Sequence, residues 1–132
     1  MADRIDEEKA WREVKYSKKF THALRGLYVF WVTTKTGHLA TYIVTSMVAI
    51  ILGFYFKISS FEWIALVFSI GFVIVSEAFN TAIEIDIDLT SPEYHPYARD
   101  TKDVAASAVL LSAFVAIIVG FVVFSPYIIR LF

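Results

Sequence analysis

Three apolar runs divide the chain. Residues 36–56 and 104–129 contain no Asp, Glu, Lys or Arg, and the run between them, 63–76, is 14 residues long. Because about 20 apolar residues cross a bilayer as a helix, the middle span has to continue into the acidic segment that follows Ser76. The pattern predicts transmembrane helices over 37–57, 61–88 and 102–130, with a polar, proline-containing loop over 89–101.

A second pattern precedes the first span. Apolar side chains recur at helical spacing from Trp11 to Trp31, and basic residues fall between them. This is typical of an amphipathic helix on the membrane surface with its cations in the headgroups. A soluble helix packed on a partner would look similar, but the neighbouring span favours the membrane. Residues 1–19 are highly charged and lack the apolar core of a signal peptide. We therefore predict an all-α integral membrane protein: one domain over 1–132, with a cytoplasmic surface helix within 1–35 and three transmembrane helices.

Composition and charge agree with this class. The chain is 58% hydrophobic with a mean hydropathy of +0.62, above an ordinary soluble domain, and it has no cysteine, which excludes disulfides and thiolate chemistry. Eight of the twelve Lys and Arg residues precede the first span, and Arg99 and Lys102 lie between the two later runs. Only Lys57 and Arg130 lie on the other side. The positive-inside rule then places the N-terminus and the second loop in the cytoplasm and the C-terminus outside.

The segment 76–88 carries acidic residues directly after the middle apolar run, where charge is costly. At about 100° per residue, four polar residues share one helix face roughly 80° wide, and we call them the acidic stripe: Glu77, Asn80, Glu84 and Asp88. Asp86 points to the opposite side. Carboxylates with an amide among them suit a hard divalent cation that also binds phosphate. The alternative is an amphipathic helix leaving the bilayer with its acids in water, but the long uncharged run beside the stripe argues against it.

The predicted topology brings Lys102 and Asp103 to the same cytoplasmic face as the acidic stripe. Phosphoryl transfer needs a divalent ion held by carboxylates, a cation on the phosphates, and a group that orients or deprotonates the acceptor hydroxyl. The stripe and Lys102 offer these groups, although Lys102 could also be an ordinary snorkelling charge at a helix end. The chain has no Walker A glycine loop and no protein-kinase motif, so a kinase here would use another arrangement.

Two sequence blocks resemble a known family. EAFNTAIEIDID, at 77–88, and EYHPYARDTKDVAASAV, at 93–109, are similar to the signature of the small prokaryotic lipid kinases, the diacylglycerol kinase and undecaprenol kinase family. The likeness covers the chain from Lys15 to the C-terminus. The His-Pro of the second block and the FEW sequence that opens the second span resemble the undecaprenol kinases of Gram-positive bacteria more closely.

The resemblance implies an ATP-dependent kinase of a membrane lipid alcohol, with undecaprenol expected ahead of diacylglycerol. It implies a homotrimer in the bacterial inner membrane, with active sites between protomers at the cytoplasmic surface and no nucleic-acid partner. Glu77 would bind the lipid and remove the proton from its hydroxyl, and Glu84 would hold Mg²⁺ on the nucleotide phosphates. The ATP site would be lined by Asn80, Glu84, Asp88, Glu93, Tyr94, His95, Lys102 and Asp103, together with Lys15 and His22 on the surface helix.

One position departs from the family. The family has a second metal-binding glutamate after the surface helix, and counting from the Arg-Gly pair at 25–26 places Thr34 there. No Asp or Glu occurs between Glu13 and Glu62, so no carboxylate of this segment can substitute. Either Glu84 holds the metal with other help, such as Asp88 or the nucleotide itself, or the activity is weakened or altered. Thr34 and His38 could each offer a neutral ligand, but these are poorer partners for magnesium than a carboxylate.

Two other functions are compatible with the sequence. One is a family member that kept the fold, lost turnover and binds nucleotide or lipid; Thr34 favours it, whereas the intact acidic stripe counts against it. The other is a cation-conducting or metal-transporting helix bundle, which leaves the Lys102–Asp103 pair unexplained.

Overall fold

The described part of the chain consists of α-helices. The structure, a computed structural model, describes residues 18–132, so Lys15 and the first part of the expected surface helix lie outside the described residues. Within 18–132 the helices are α1 (Lys19–Thr33), α2 (Thr36–Phe56), α3 (Ser60–Thr90) and α4 (Pro96–Ile129). The last three are each long and apolar enough to cross a membrane, which confirms the all-α class with three candidate membrane spans.

The chain divides into two compact units after Thr33. The described part of the first unit is α1, and most of its large apolar side chains are exposed, as a helix resting on a membrane surface requires. The exposed ones are Phe20, Leu24, Leu27, Tyr28, Trp31 and Val32. The second unit, 34–132, contains α2, α3 and α4.

In the second unit, α3 and α4 pack along each other, whereas α2 contacts α3 at few positions. The best-packed core lies beside the turn between α2 and α3, where Ile58, Leu66, Val123 and Phe124 are buried together. In the most apolar 18-residue stretch of α2, 6% is buried, whereas 33% of the corresponding stretch of α3 is buried. Helix α2 therefore has a broad apolar face that the described residues do not cover.

The turn between α2 and α3 is tight because both helix ends are capped. Lys57 adopts the left-handed conformation (φ 52°), and the N–H groups of Lys57 and Ile58 donate to carbonyls in the last turn of α2, which is the Schellman arrangement. The Ser59 hydroxyl accepts from the Glu62 N–H at 3.4 Å, and the Glu62 carboxylate accepts from the Ser59 N–H at 2.7 Å. This capping box starts α3 immediately after the turn.

Gly53 lies against the indole ring of Trp63. A Cβ added at Gly53 would lie 2.8 Å from Cη2 and 2.9 Å from Cζ2 of that ring, so the ring would have to move within a packed end of the unit. We expect Gly53→Ala to cost about 1–3 kcal/mol, the usual penalty for overpacking, and to lower the melting temperature of the purified protein in detergent. Gly71→Ala is the matched control, because a Cβ there meets no atom within 4 Å. Equal melting temperatures for the two variants would contradict the close approach.

The polar loop is shorter than the sequence predicts. The connection between α3 and α4 spans 91–95 rather than 89–101, since α4 begins at Pro96. Pro96 occupies the first turn, where its missing N–H costs nothing and its fixed φ suits a helix. His95 caps this helix, because its Nδ1 accepts from the Tyr97 N–H at 3.3 Å. Pro96 therefore starts α4 instead of interrupting a helix.

Candidate functional site

The acidic stripe lies on the second half of α3 and passes from a buried to an exposed environment. Glu77 is 3% exposed and Asn80 is 8% exposed. Further along, Glu84 is partly buried and Asp88 is exposed, as is Asp86 on the other side of the helix. The stripe therefore connects the interior of the helix bundle with its surface.

Two side chains of α2 contact the Glu77 carboxylate. Its Oε1 lies 3.4 Å from His38 Nδ1, and its Oε2 accepts the Tyr42 hydroxyl at 3.3 Å. The contact with His38 is a donated hydrogen bond in the tautomer that carries the ring proton on Nδ1. His38 and Tyr42 are four residues apart on α2 and so share a face of that helix. Both oxygens of the buried carboxylate therefore meet polar groups of one neighbouring helix.

Asn80 and Glu84 provide oxygen atoms that suit a cation. Asn80 Nδ2 donates to Glu84 Oε1 at 3.2 Å, and Asn80 Oδ1 is buried with no hydrogen-bond partner among the described residues. An unpaired buried amide oxygen is costly, and beside a carboxylate it is a ligand of the type that Mg²⁺ prefers. Within 18–132 no group of three His, Asp or Glu side chains could hold a metal. An ion bound here would need phosphate or water oxygens to complete its coordination.

The exposed end of the acidic stripe meets the start of α4. Lys102 forms an ion pair with Asp88. The ammonium group of Lys102 therefore lies at the acidic stripe, as the predicted topology required. Asp103 is exposed beside it on α4. Three further predicted residues lie in the connection between α3 and α4: Glu93, Tyr94 and His95. The Tyr94 hydroxyl accepts from Arg99 Nη1 at 3.4 Å. The polar groups expected around a nucleotide thus lie within a short stretch of the sequence. That they bind nucleotide stays a prediction.

Two predicted nucleotide contacts belong to the N-terminal part of the chain. His22 is exposed on α1, in the first unit, and Lys15 lies outside the described residues. Their contacts with nucleotide also stay predictions.

Thr34 packs against α3. It is 8% exposed, and its hydroxyl lies 3.1 Å from the buried hydroxyl of Thr81. Thr81 directly follows Asn80, so Thr34 borders the acidic stripe. The sequence singled out Thr34 but not its partner, because a contact between residues so far apart depends on how the two helices lie against each other.

An apolar cavity lies between α2, α3 and α4. Its volume is about 300 Å³, and Tyr42, the hydrogen-bond donor to Glu77, is part of its wall. Most other lining side chains are apolar, among them Leu66, Ile70, Val73, Ala113 and Ile117. Such a cavity suits a ligand with a long apolar part and one polar end. Tyr42 was not among the predicted site residues, although it carries a hydroxyl four residues after His38 in a largely apolar run.

The chain is similar to known kinases over most of its length. Residues 21–124 match the prokaryotic diacylglycerol kinase family. The undecaprenol kinase of Bacillus subtilis is 34% identical over 113 residues, which are 85% of this chain and 89% of that protein. A diacylglycerol kinase of Escherichia coli K12 is 29% identical over 57% of this chain and 62% of its own length, and one of Synechocystis is 51% identical over 36% of this chain and 28% of its own. With its three apolar helices and the acidic stripe, the chain belongs to the prokaryotic diacylglycerol kinase family.

Proposed function

We propose that this protein transfers the γ-phosphoryl group of ATP to the hydroxyl of a membrane lipid alcohol, releasing the lipid phosphate and ADP. The observation that carries the proposal is Glu77, a carboxylate that is 3% exposed on a membrane-spanning helix and contacts the cavity wall through Tyr42. A carboxylate is costly at such a place, and its position suits a base for a hydroxyl that arrives with an apolar tail. Membership of a kinase family supports the same activity.

In the proposed reaction, Glu77 binds the lipid hydroxyl and accepts its proton. As that proton moves to the carboxylate, the lipid oxygen forms a bond to the γ-phosphorus. The bond between the γ-phosphorus and the bridging oxygen of ADP breaks, and ADP leaves with that electron pair. Because Glu77 is buried, water has little access to the base, which favours transfer to the lipid over hydrolysis of ATP.

The more exposed part of the acidic stripe is proposed to bind ATP. Glu84 would hold Mg²⁺, with Asn80 Oδ1 as a second oxygen ligand, and the bound ion would offset negative charge on the phosphates. Lys102 would move from Asp88 toward the phosphate oxygens as nucleotide enters. The other residues proposed to contact the nucleotide are Asp88, Glu93, Tyr94, His95 and Asp103, together with Lys15 and His22.

Undecaprenol is the proposed acceptor ahead of diacylglycerol. The alignment with an undecaprenol kinase, which spans 85% of this chain, supports this order. The distribution of Lys and Arg supports an orientation in the bacterial inner membrane with the N-terminus and the site in the cytoplasm and the C-terminus outside. ATP would then reach the acidic stripe directly.

The uncovered face of α2 supports assembly into a homotrimer. Large apolar side chains of this helix are exposed: Ile43, Val44, Met47, Ile51 and Phe54. Neighbouring protomers would cover part of this face and could complete the site beside the acidic stripe.

A second candidate function is favoured by one observation. The Thr34 hydroxyl contacts that of Thr81, at the position where the resemblance implies the family's second metal-binding glutamate. A site with one carboxylate fewer binds magnesium less strongly. The protein could then bind nucleotide or lipid without turnover.

The test is phosphate transfer from labelled ATP with magnesium, using the purified full-length protein in detergent and lipid, with undecaprenol and a diacylglycerol in parallel. Labelled lipid phosphate from either alcohol, absent when lipid is omitted, is the expected result, and the two rates rank the substrates. Labelled ATP that binds without yielding product from either alcohol would support the second candidate instead.

Thr34→Glu is expected to make stability depend more strongly on magnesium. Without a cation, the new carboxylate is buried opposite Thr81 and destabilises the fold; with Mg²⁺ and ATP it gains a partner. The rise in melting temperature on adding Mg²⁺–ATP should exceed that of the unmodified protein by several degrees, and half-maximal activity should need less Mg²⁺. Thr33→Glu, which adds the same charge at the neighbouring exposed position, is the control. An equal rise in both variants would mean that Thr34 does not border the metal.

A further inference from the structure

The Glu77 side chain has partners on both of its oxygens, and both partners come from α2. Tyr42 donates to Oε2 at 3.3 Å, and His38 Nδ1 lies 3.4 Å from Oε1. Both distances are longer than usual, which is about 2.7 Å for O–H···O and about 2.9 Å for N–H···O, as the distances of catalytic hydrogen bonds often are before substrate binds. The two contacts together fix the plane of the carboxylate.

Tyr42 occupies a position that links the carboxylate with the cavity. It is partly buried, it lines the cavity, and its hydroxyl reaches Glu77. His38, by contrast, is 58% exposed at its side chain. The carboxylate therefore lies between a phenol that lines the cavity and an imidazole that the described residues leave exposed.

We propose that Tyr42 and His38 are positioning residues for Glu77, so that the carboxylate faces a hydroxyl entering from the cavity. This inference rests on the proposed function, in which Glu77 is the base. A glutamate has several rotamers, and a base that is displaced by about 1 Å can cost on the order of 10²-fold in rate. Because α2 has few other contacts with α3, the two hydrogen bonds are the main polar links that set where the carboxylate lies.

The test compares Tyr42→Phe with Tyr55→Phe, which removes the same hydroxyl from an exposed position on the same helix. Tyr42→Phe should lower kcat by about 10- to 100-fold with an unchanged KM for ATP, and Tyr55→Phe should match the unmodified protein. His38→Leu should also lower kcat, whereas His38→Asn, which keeps a donor near the Nδ1 position, should recover most of the rate.

A double-mutant cycle separates positioning from a general structural effect. In the Glu77→Gln background, Tyr42→Phe should cause no further loss of the residual rate, because the group it positions is already gone. A full additional loss there, or a normal kcat for Tyr42→Phe alone, would overturn the inference. If Glu77→Gln itself kept normal activity, the proposed base would be wrong instead, so the two failures are distinguishable.

Discussion

Glu77→Gln is expected to lower the rate of lipid phosphorylation by about 10³-fold, within the range of about 10²–10⁴ that a general base contributes. The amide has the shape of the carboxylate and can still accept the Tyr42 hydroxyl, but it cannot take a proton from the lipid. The loss should therefore appear in kcat, with an unchanged melting temperature and unchanged binding of ATP. Labelled ATP and undecaprenol in mixed micelles give the rate, and thermal unfolding in detergent gives the stability.

The matched control is Glu62→Gln, the same substitution at the other end of α3. Glu62 caps the helix through Ser59 and accepts the Tyr127 hydroxyl at 2.8 Å, and glutamine can serve in a capping box as well. This variant should keep normal activity. A Glu77→Gln protein that phosphorylates lipid at the normal rate would contradict the assignment of the base.

Glu84→Gln is expected to raise the Mg²⁺ concentration for half-maximal activity by at least about 100-fold. Loss of an outer-shell partner alone costs about 10- to 100-fold in metal affinity, and Glu84 is proposed to contact the ion directly. The Asn80 amide would keep its partner, since a glutamine oxygen still accepts from Nδ2, so the fold should be intact. A magnesium titration of the transfer rate, with melting temperatures measured alongside, tests this expectation.

The control for Glu84 is Asp86→Asn, which removes an acid that is exposed on the opposite side of α3. Its magnesium titration should match that of the unmodified protein. Chelation of magnesium should stop transfer in both proteins, and added magnesium should restore it. Identical titrations for Glu84→Gln and Asp86→Asn would place the ion elsewhere.

Features with a strong local signal could be predicted from the sequence. The first and third spans follow from uncharged runs of sufficient length, and the second follows from a shorter run that has to continue into the acidic segment. The shared face of the acidic stripe follows from helical periodicity alone. The structure starts α4 at Pro96 rather than at 102, because a proline interrupts a helix only in its interior. The place of Pro96 after His95, in the first helical turn, makes it compatible with a helix start.

Contacts between helices could not be predicted in the same way. Tyr42 and Glu77 are far apart in the sequence, and only the relative rotation and translation of α2 and α3 bring their side chains together. The same holds for Thr34 and Thr81. Periodicity identifies which residues of one helix share a face, but not which residue of the next helix they meet.

The change in burial along the acidic stripe has a consequence for how the two reactants of the proposed reaction meet. The Asp88 end is exposed, whereas Glu77 is enclosed beside an apolar cavity. Within a few turns of one helix face, an exposed environment that suits a nucleotide gives way to an enclosed apolar one that suits a lipid tail. The nucleotide need not enter the bilayer, and the alcohol need not leave it. Chemistry between two immiscible compounds can then occur at a fixed boundary that the protein itself provides.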